Sequence, residues 1–266
     1  MRKILQLIVL LSVMVFFAGC SAKENEGDKH SDSIAISGQL KGAEGRTLYL
    51  HHLSVDTLSV GGGEYIGLSN NAIQGGNFSL VCKPDNDEPA FYRIGFSAQN
   101  SITTLAKRGE NINIKFTKVD TLCREYTVTG GKDAQLMCEL DQHLSCFIDS
   151  AEQLLLWYEF TDDDSVHATV NNAYNIIKGH YTSYLRDFIA KNPKSLATMA
   201  AFYQKYQNST FFDEARDLAL LEQIYKNLRK AHPKNENVVW LSKRISFIKE
   251  NLKNEQNQDE ISSINK

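Results

Sequence analysis

The sequence of 266 residues lacks the short motifs that mark the commonest catalytic sites. It has no Cys-x-x-Cys pair, which excludes a thioredoxin-type redox centre. It also has neither Gly-x-Ser-x-Gly nor His-Glu-x-x-His, the motifs of hydrolase nucleophile elbows and zinc proteases. The seven histidines are too scattered to form a ligand set by spacing, so no metal or cofactor is expected. Enzymes that use a pair of carboxylates leave no local motif, and that class stays open.

The sequence also has fewer basic than acidic residues. The 29 lysines and arginines are outnumbered by 32 acidic residues, whereas a surface that binds phosphate needs clustered lysine and arginine. Nucleic acid is therefore not expected as a partner. Long apolar runs are lacking as well, because beyond residue 20 no segment approaches the roughly 20 apolar residues of a membrane-spanning helix.

The first twenty residues have the three-part layout of an export signal. Arg2 and Lys3 are followed by an apolar run at 4–17 and by two small residues before Cys20. This cysteine resembles the lipobox cysteine of bacterial lipoproteins, although Phe17 replaces the usual leucine. The resemblance implies cleavage before Cys20 and a lipid on its sulfur, which anchors a protein through about 0.8 kcal/mol per buried CH₂. An ordinary signal peptide with an incidental cysteine is the alternative.

We therefore expect a signal peptide at 1–19 and a lipidated, flexible tether at 20–33. The tether is almost wholly polar and cannot bury enough apolar surface to become ordered. Cleavage leaves 27 basic against 32 acidic residues, a net charge of −5. The predicted location is the envelope of a Gram-negative bacterium, with the Cys20 lipid in the outer membrane and the protein on its periplasmic or surface face.

Two periodicities divide the rest of the chain. Residues 34–131 contain alternating stretches such as IAISGQL and NINIKF between glycine-rich turns, a pattern typical of antiparallel strands. Residues 132–253 carry apolar side chains at steps of three and four, which predicts five amphipathic helices, with Asn192 capping the third and Asp213 the fourth. Residues 254–266 form a polar tail that is expected to fray. The predicted class is α+β: an antiparallel β-sandwich or barrel-like domain followed by an α-helical bundle domain.

Four cysteines lie beyond Cys20. Cys138 and Cys146 are eight residues apart on one predicted helix, which separates their Cα atoms by about 12 Å at 1.5 Å per residue. They cannot form a disulfide within that helix and are expected to be buried. Cys82 and Cys123 fall in the β-region, and the sequence leaves open whether they pair or remain free thiols.

Several stretches resemble the N-terminal region of lipoprotein thiol–disulfide oxidoreductases. They are ISGQLKGAEGRTLYL, GNFSL, FYRI, RGENINI, YTVTGGKDAQ, FIAKNPKSLATMAAFYQKY and AHPKNENVVWLSKRI. In that family a β-sheet module and a helical segment precede a thioredoxin-like domain related to peroxiredoxins of the AhpC/TSA type. The resemblance covers residues 34 to about 250, but the thioredoxin-like domain has no counterpart here. The redox activity of the relatives therefore does not carry over.

The resemblance implies a non-catalytic binding or accessory module. Its expected partner is a thioredoxin-fold envelope protein or the client of such a protein. Two alternatives stay open: an enzyme with an unrecognised carboxylate-based site between the two domains, and one half of a split thiol–disulfide oxidoreductase.

A weaker pattern resembles the O-glycosylation sequon of some bacterial envelope proteins, in which Asp-Ser or Asp-Thr precedes a small or apolar residue. The candidate acceptors are Ser33, Thr57, Thr121 and Ser165. A fifth match, at Ser150, is expected to be buried in a helix. Such short motifs match by chance, and ordinary turn and cap residues are the alternative interpretation.

Overall fold

Alternating apolar residues form the strands of the N-terminal half, and the computed structural model describes residues 32–53 and 66–264 of the chain. In β1, for example, every second side chain is fully buried, as expected when one face of a strand meets a core. The strands in this half are β1 Ile34–Leu40, β2 Thr47–His52, β3 Ile66–Ala72, β4 Asn77–Cys82, β5 Ala90–Gly95, β6 Ser101–Ala106, β7 Asn111–Phe116 and β8 Tyr126–Thr129.

These strands form two four-stranded sheets, one in the order β4-β1-β7-β8 and the other in the order β3-β2-β5-β6. The predicted antiparallel pairing is confirmed except between β1 and β7, which run parallel with Ile36 opposite Ile112. Some 70 residues separate these two strands, so no hairpin fixes their relative direction. Gly38 is required at this pair, because a Cβ atom there would lie 1.8 Å from the carbonyl oxygen of Ile114.

The two sheets face each other across one hydrophobic core and do not close into a barrel. The α+β class and the sandwich alternative are therefore confirmed. Strand residues that both sheets contribute to this core include Ile34, Ile36, Leu40, Leu48, Leu50, Phe78, Leu80, Ile94, Ile102, Ile112 and Ile114.

One end of the outer face of the second sheet is also covered, by helices. Phe91 and Leu105 point away from the sandwich core and belong to the helical core, together with Leu53 just after β2. The helices are α1 Lys132–Glu159, α2 Asp164–Lys191, α3 Ala197–Phe202, α4 Leu218–Ala231 and α5 Glu236–Ile264. Helix α1 also contacts the sandwich core directly, since its Ala134 and Cys138 are buried there.

The third helix is shorter than predicted, and Asn192 does not cap it. Asn192 instead ends α2, where its backbone N–H and its side-chain amide both donate to the Phe188 carbonyl oxygen. A small hairpin, β9 Lys205–Tyr206 and β10 Ser209–Thr210, follows α3. Its turn is set by the positive φ of Gln207, a backbone state that no helix admits.

The start of α4 and the end of α5 also differ from the prediction. The Asp213 carboxylate accepts the backbone N–H groups of Ala215 and Arg216 in a turn, and α4 begins only at Leu218. Helix α5 continues through most of the predicted polar tail, to Ile264. Residues 254–264 contain neither glycine nor proline and several good helix formers, so nothing in them ends the helix.

A partly buried polar cluster joins α1 to the start of β8. The Tyr126 hydroxyl donates to the Asp141 carboxylate at 2.7 Å. The Tyr126 carbonyl oxygen accepts from the Gln142 amide at 3.1 Å and from the Cys138 thiol at 3.5 Å. Burial raises the pKa of Asp141 to about 7, and the hydrogen bond from Tyr126 only partly offsets this rise.

The raised pKa of Asp141 predicts a pH-dependent stability. From its ordinary pKa of 3.8 up to about 7, the folded protein holds a proton that the unfolded chain has released. The contribution of Asp141 to the free energy of unfolding therefore falls as the pH rises through this window. Relative to the wild type, Asp141→Asn should gain on the order of 2 kcal/mol between pH 5 and pH 8 in urea unfolding.

Tyr126→Phe is the informative control for this prediction. Loss of the hydroxyl removes a contact that lowers the Asp141 pKa, so the fall in stability should extend to higher pH. Parallel pH profiles for the wild type and Asp141→Asn would contradict the assignment. A Cys20→Ala background keeps the predicted lipid out of all these measurements.

Candidate functional site

The α1–α2 hairpin extends beyond the core that holds its base. At the base, Phe147 of α1 and Tyr181 of α2 are buried and stack with ring centroids 5.1 Å apart. Between Ala151 and Val170 no side chain is buried. We call residues 152–169 the hairpin tip.

The hairpin tip is locally well bonded. The Asp163 carboxylate caps α2 by accepting the Ser165 backbone N–H at 2.8 Å. The Nε2 atom of His167 lies 2.7 Å from the Thr161 carbonyl oxygen and 3.0 Å from that of Tyr158. Both partners are acceptors, so Nε2 carries the proton. The His167 ring also stacks on the Tyr158 ring at 3.9 Å, which fixes the turn between the helices.

Large apolar side chains on this tip face solvent. Trp157 is 67% exposed, Phe160 is 85% exposed and Leu156 is 45% exposed. Positions 156, 157 and 160 share one side of a helix, so we call these three residues the tip patch. Single exposed apolar residues are ordinary, but a contiguous group on a projecting, ordered element is typical of an interaction site.

Helical periodicity alone did not identify the tip patch. Steps of three and four from Phe147 and Ala151 lead to Leu154 and Tyr158 and predict that these two face the core. Leu154 is only partly buried, however, and Tyr158 is 39% exposed. The missed signal is the run LLLWY at 154–158. Five consecutive apolar residues surround the helix, and a core on one side covers only a stripe of about 100°.

A second candidate is a groove of about 840 Å³ where α1 begins and α2 and α4 end. Its walls include Lys132, Lys191, Lys194 and Lys230. Among the described residues, no carboxylate lies within 4 Å of these four ammonium groups. Lysines at the carboxyl ends of α2 and α4 offset the negative ends of the helix dipoles, so their presence there already has a structural reason.

Asp141 is the carboxyl group whose pKa lies near neutrality, and it lies where the sheets meet the helices. That placement matches the alternative of a carboxylate-based site between the two regions. It accepts a hydrogen bond from Tyr126, inside the polar cluster described above. The groove described above is lined on α1 by Lys132, Asp133 and Leu136 rather than by Asp141.

The predicted modification sites are spread over the molecule. Cys20 and Thr57 lie outside the described residues. Thr121 and Ser165 are exposed, in a turn and in the first turn of α2, while Ser33 is half-buried. Ser150 is exposed, and the prediction that it is buried was wrong, because its side of α1 faces solvent.

The four cysteines in the described part of the chain are free thiols. Cys82 and Cys138 are buried, and burial raises the pKa of each to about 11, so both stay protonated and unreactive. Cys123 is exposed, and so is Cys146, contrary to its predicted burial. Within residues 32–53 and 66–264, no group of three His, Cys, Asp or Glu side chains is placed to hold a metal ion. No helix in the same ranges is long and apolar enough to cross a membrane.

If the tip patch faces solvent, its removal should not weaken the fold. We expect Trp157→Ser and Phe160→Ser each to change the free energy of unfolding by less than about 0.5 kcal/mol. Phe202→Ala, in the buried helical core, should cost about 3–5 kcal/mol. Urea unfolding followed by circular dichroism measures all three. A core-sized loss in either tip variant would mean that the tip packs against the body.

Comparison with known proteins identifies no relative, so a function has to be inferred from the structure of the chain itself. No protein-family model matches the chain, and no curated protein matches it. The resemblance to lipoprotein thiol–disulfide oxidoreductases therefore stays a prediction from the quoted sequence stretches.

Proposed function

We propose that this protein is a lipid-anchored, non-catalytic binding or accessory module of the Gram-negative cell envelope. It contacts its partner through the tip of the α1–α2 hairpin. The observation that carries the proposal is the tip patch, where Trp157 and Phe160 are 67% and 85% exposed on an ordered, projecting element. Side chains of this size bury 150–250 Å² each when covered, which makes them effective anchors in protein interfaces.

The proposed anchor is the lipid on Cys20, and the outer membrane is the proposed site. Residues 20–33 separate that cysteine from β1, and a chain of this length spans at most about 50 Å when fully extended. The module can therefore work at a distance from the bilayer surface while remaining confined to it.

The sequence resemblance suggests the class of partner. In the resembled proteins a β-sheet module and a helical segment precede a thioredoxin-like domain. The lack of a Cys-x-x-Cys pair in this chain supports a role beside such a protein, or beside its client, rather than a redox reaction of its own.

The proposal is tested by cross-linking in intact cells that express the protein with a C-terminal tag. We expect a defined set of proteins to be recovered with the wild type and lost with Cys20→Ala, which removes the anchor. The same proteins should be lost with Phe160→Ser, which removes the most exposed side chain of the tip patch. Quantitative mass spectrometry of the purified cross-linked material provides the measurement.

Phe247→Ser is the matched control, because Phe247 is 51% exposed on α5. It removes an exposed phenylalanine without touching the tip, so recovery should equal that of the wild type. Equal recovery with Phe160→Ser and the wild type would refute the tip as the binding surface. Disulfide reduction by the purified protein alone would refute the non-catalytic role.

The second candidate function is an enzyme with a carboxylate-based site, favoured by the near-neutral pKa of Asp141 at the sheet–helix junction. A general acid or base needs such a pKa to exchange protons near pH 7. This candidate requires a turnover activity that Asp141→Asn abolishes while the fold is preserved.

A further inference from the structure

The charges of the α1–α2 hairpin are distributed very unevenly. Between Lys132 and Lys178 there are nine aspartate and glutamate residues and neither lysine nor arginine. The complete chain has a net charge of only −3, so the rest of the sequence is basic on balance. The hairpin is thus an acidic element on a molecule that is otherwise mildly basic.

At the hairpin tip, some of these carboxylates have no partner among the described residues. Asp149 and Glu152, near the base of the tip, hold the guanidinium group of Arg124 at 2.7 and 2.9 Å. By contrast, the exposed side chains of Glu159, Asp162 and Asp164 have no hydrogen-bond or ion-pair partner among the described residues. Glu159 lies between Trp157 and Phe160 in sequence, and Asp162 and Asp164 follow shortly after.

We infer that the hairpin tip recognises a cationic, amphipathic protein surface, in which an apolar contact is ringed by lysine or arginine. This inference rests on the proposed function and names the chemistry of its partner. The apolar contact would cover Trp157 and Phe160, and the basic ring would pair with the three unpartnered carboxylates. The face of Trp157 adds a second reason for a cation, because indole rings attract ammonium and guanidinium groups.

The same charges disfavour an anionic membrane as the occupant of the tip. Apolar side chains next to lysines favour insertion among lipid headgroups, whereas this tip places carboxylates beside its tryptophan. Repulsion between those carboxylates and anionic lipids opposes the insertion of the aromatic rings.

The test uses the full chain with Cys20→Ala and Trp240→Phe, so that fluorescence reports Trp157 alone. The probe is an amphipathic helical peptide of leucine and lysine, compared with the same peptide carrying glutamate in place of lysine. We expect the lysine peptide to shift the Trp157 emission to shorter wavelength with saturation. The glutamate peptide should produce no shift. Raising the salt concentration should weaken the binding of the lysine peptide, since exposed charges are screened.

The charge variant is Glu159→Gln, Asp162→Asn and Asp164→Asn combined, which should weaken binding of the lysine peptide by about tenfold. Its matched control combines Glu44→Gln, Glu250→Gln and Glu255→Gln, three exposed positions elsewhere that give the same change in net charge. The control should bind like the parent. Equal weakening in both would refute local recognition, and so would equal binding of the two peptides.

Phosphatidylglycerol vesicles provide the remaining comparison. A blue shift with the vesicles that exceeds the shift with the lysine peptide would assign the tip to a membrane and overturn the inference. Cross-linking in cells separates the two proposals. If Phe160→Ser loses the recovered proteins while the charge variant keeps them, the binding function stands and the cationic partner is refuted. If both variants keep them, both proposals fail.

Discussion

Burial of β5 on both of its faces joins the sandwich core to the helical core. Phe91 and Tyr92 are neighbours in this strand and each is 2% exposed, although their side chains point to opposite sides of the sheet. Phe91 enters the helical core and Tyr92 enters the core of the sandwich. The second sheet therefore contributes to both cores. Helix α1 is also held by the first sheet, because Tyr126 of β8 donates to its Asp141 and because Cys138 is buried in the sandwich core.

The hairpin is held by contacts in its lower half. Tyr126 binds Asp141 from the first sheet, and Phe147 packs among aromatic side chains of α2 and of the segment after β10. Further along α1, the carboxylates of Asp149 and Glu152 on its exposed side pair with Arg124, which precedes β8. Apart from Glu152, the tip extends beyond all of these contacts. A binding surface placed in this way is held in one orientation by a rigid element while its own side chains remain accessible.

The strands and helices were predicted from the sequence more accurately than the way in which they pair and pack. Alternation of Ile34 with Ile36 identified β1, and steps of three and four identified the long helices, because one covered face imposes one period. The parallel pairing of β1 with β7 was not predictable, since direction depends on the chain between them. The tip patch was missed for a related reason. A helical repeat of apolar residues predicts the helix and its apolar side. It does not show where the core ends, and in this fold the helix continues past the core after Ala151.

The combination of aromatic rings with unpartnered carboxylates has a consequence for the free protein. Exposed tryptophan and phenylalanine side chains promote self-association, and a second copy of this chain would offer the same rings. It would also offer the same carboxylates, and two acidic tips repel each other on close approach. The carboxylates thus oppose pairing between like copies and favour a basic surface. Burial of the apolar side chains stabilises the contact, and the charge of the tip determines which partner surface can bind.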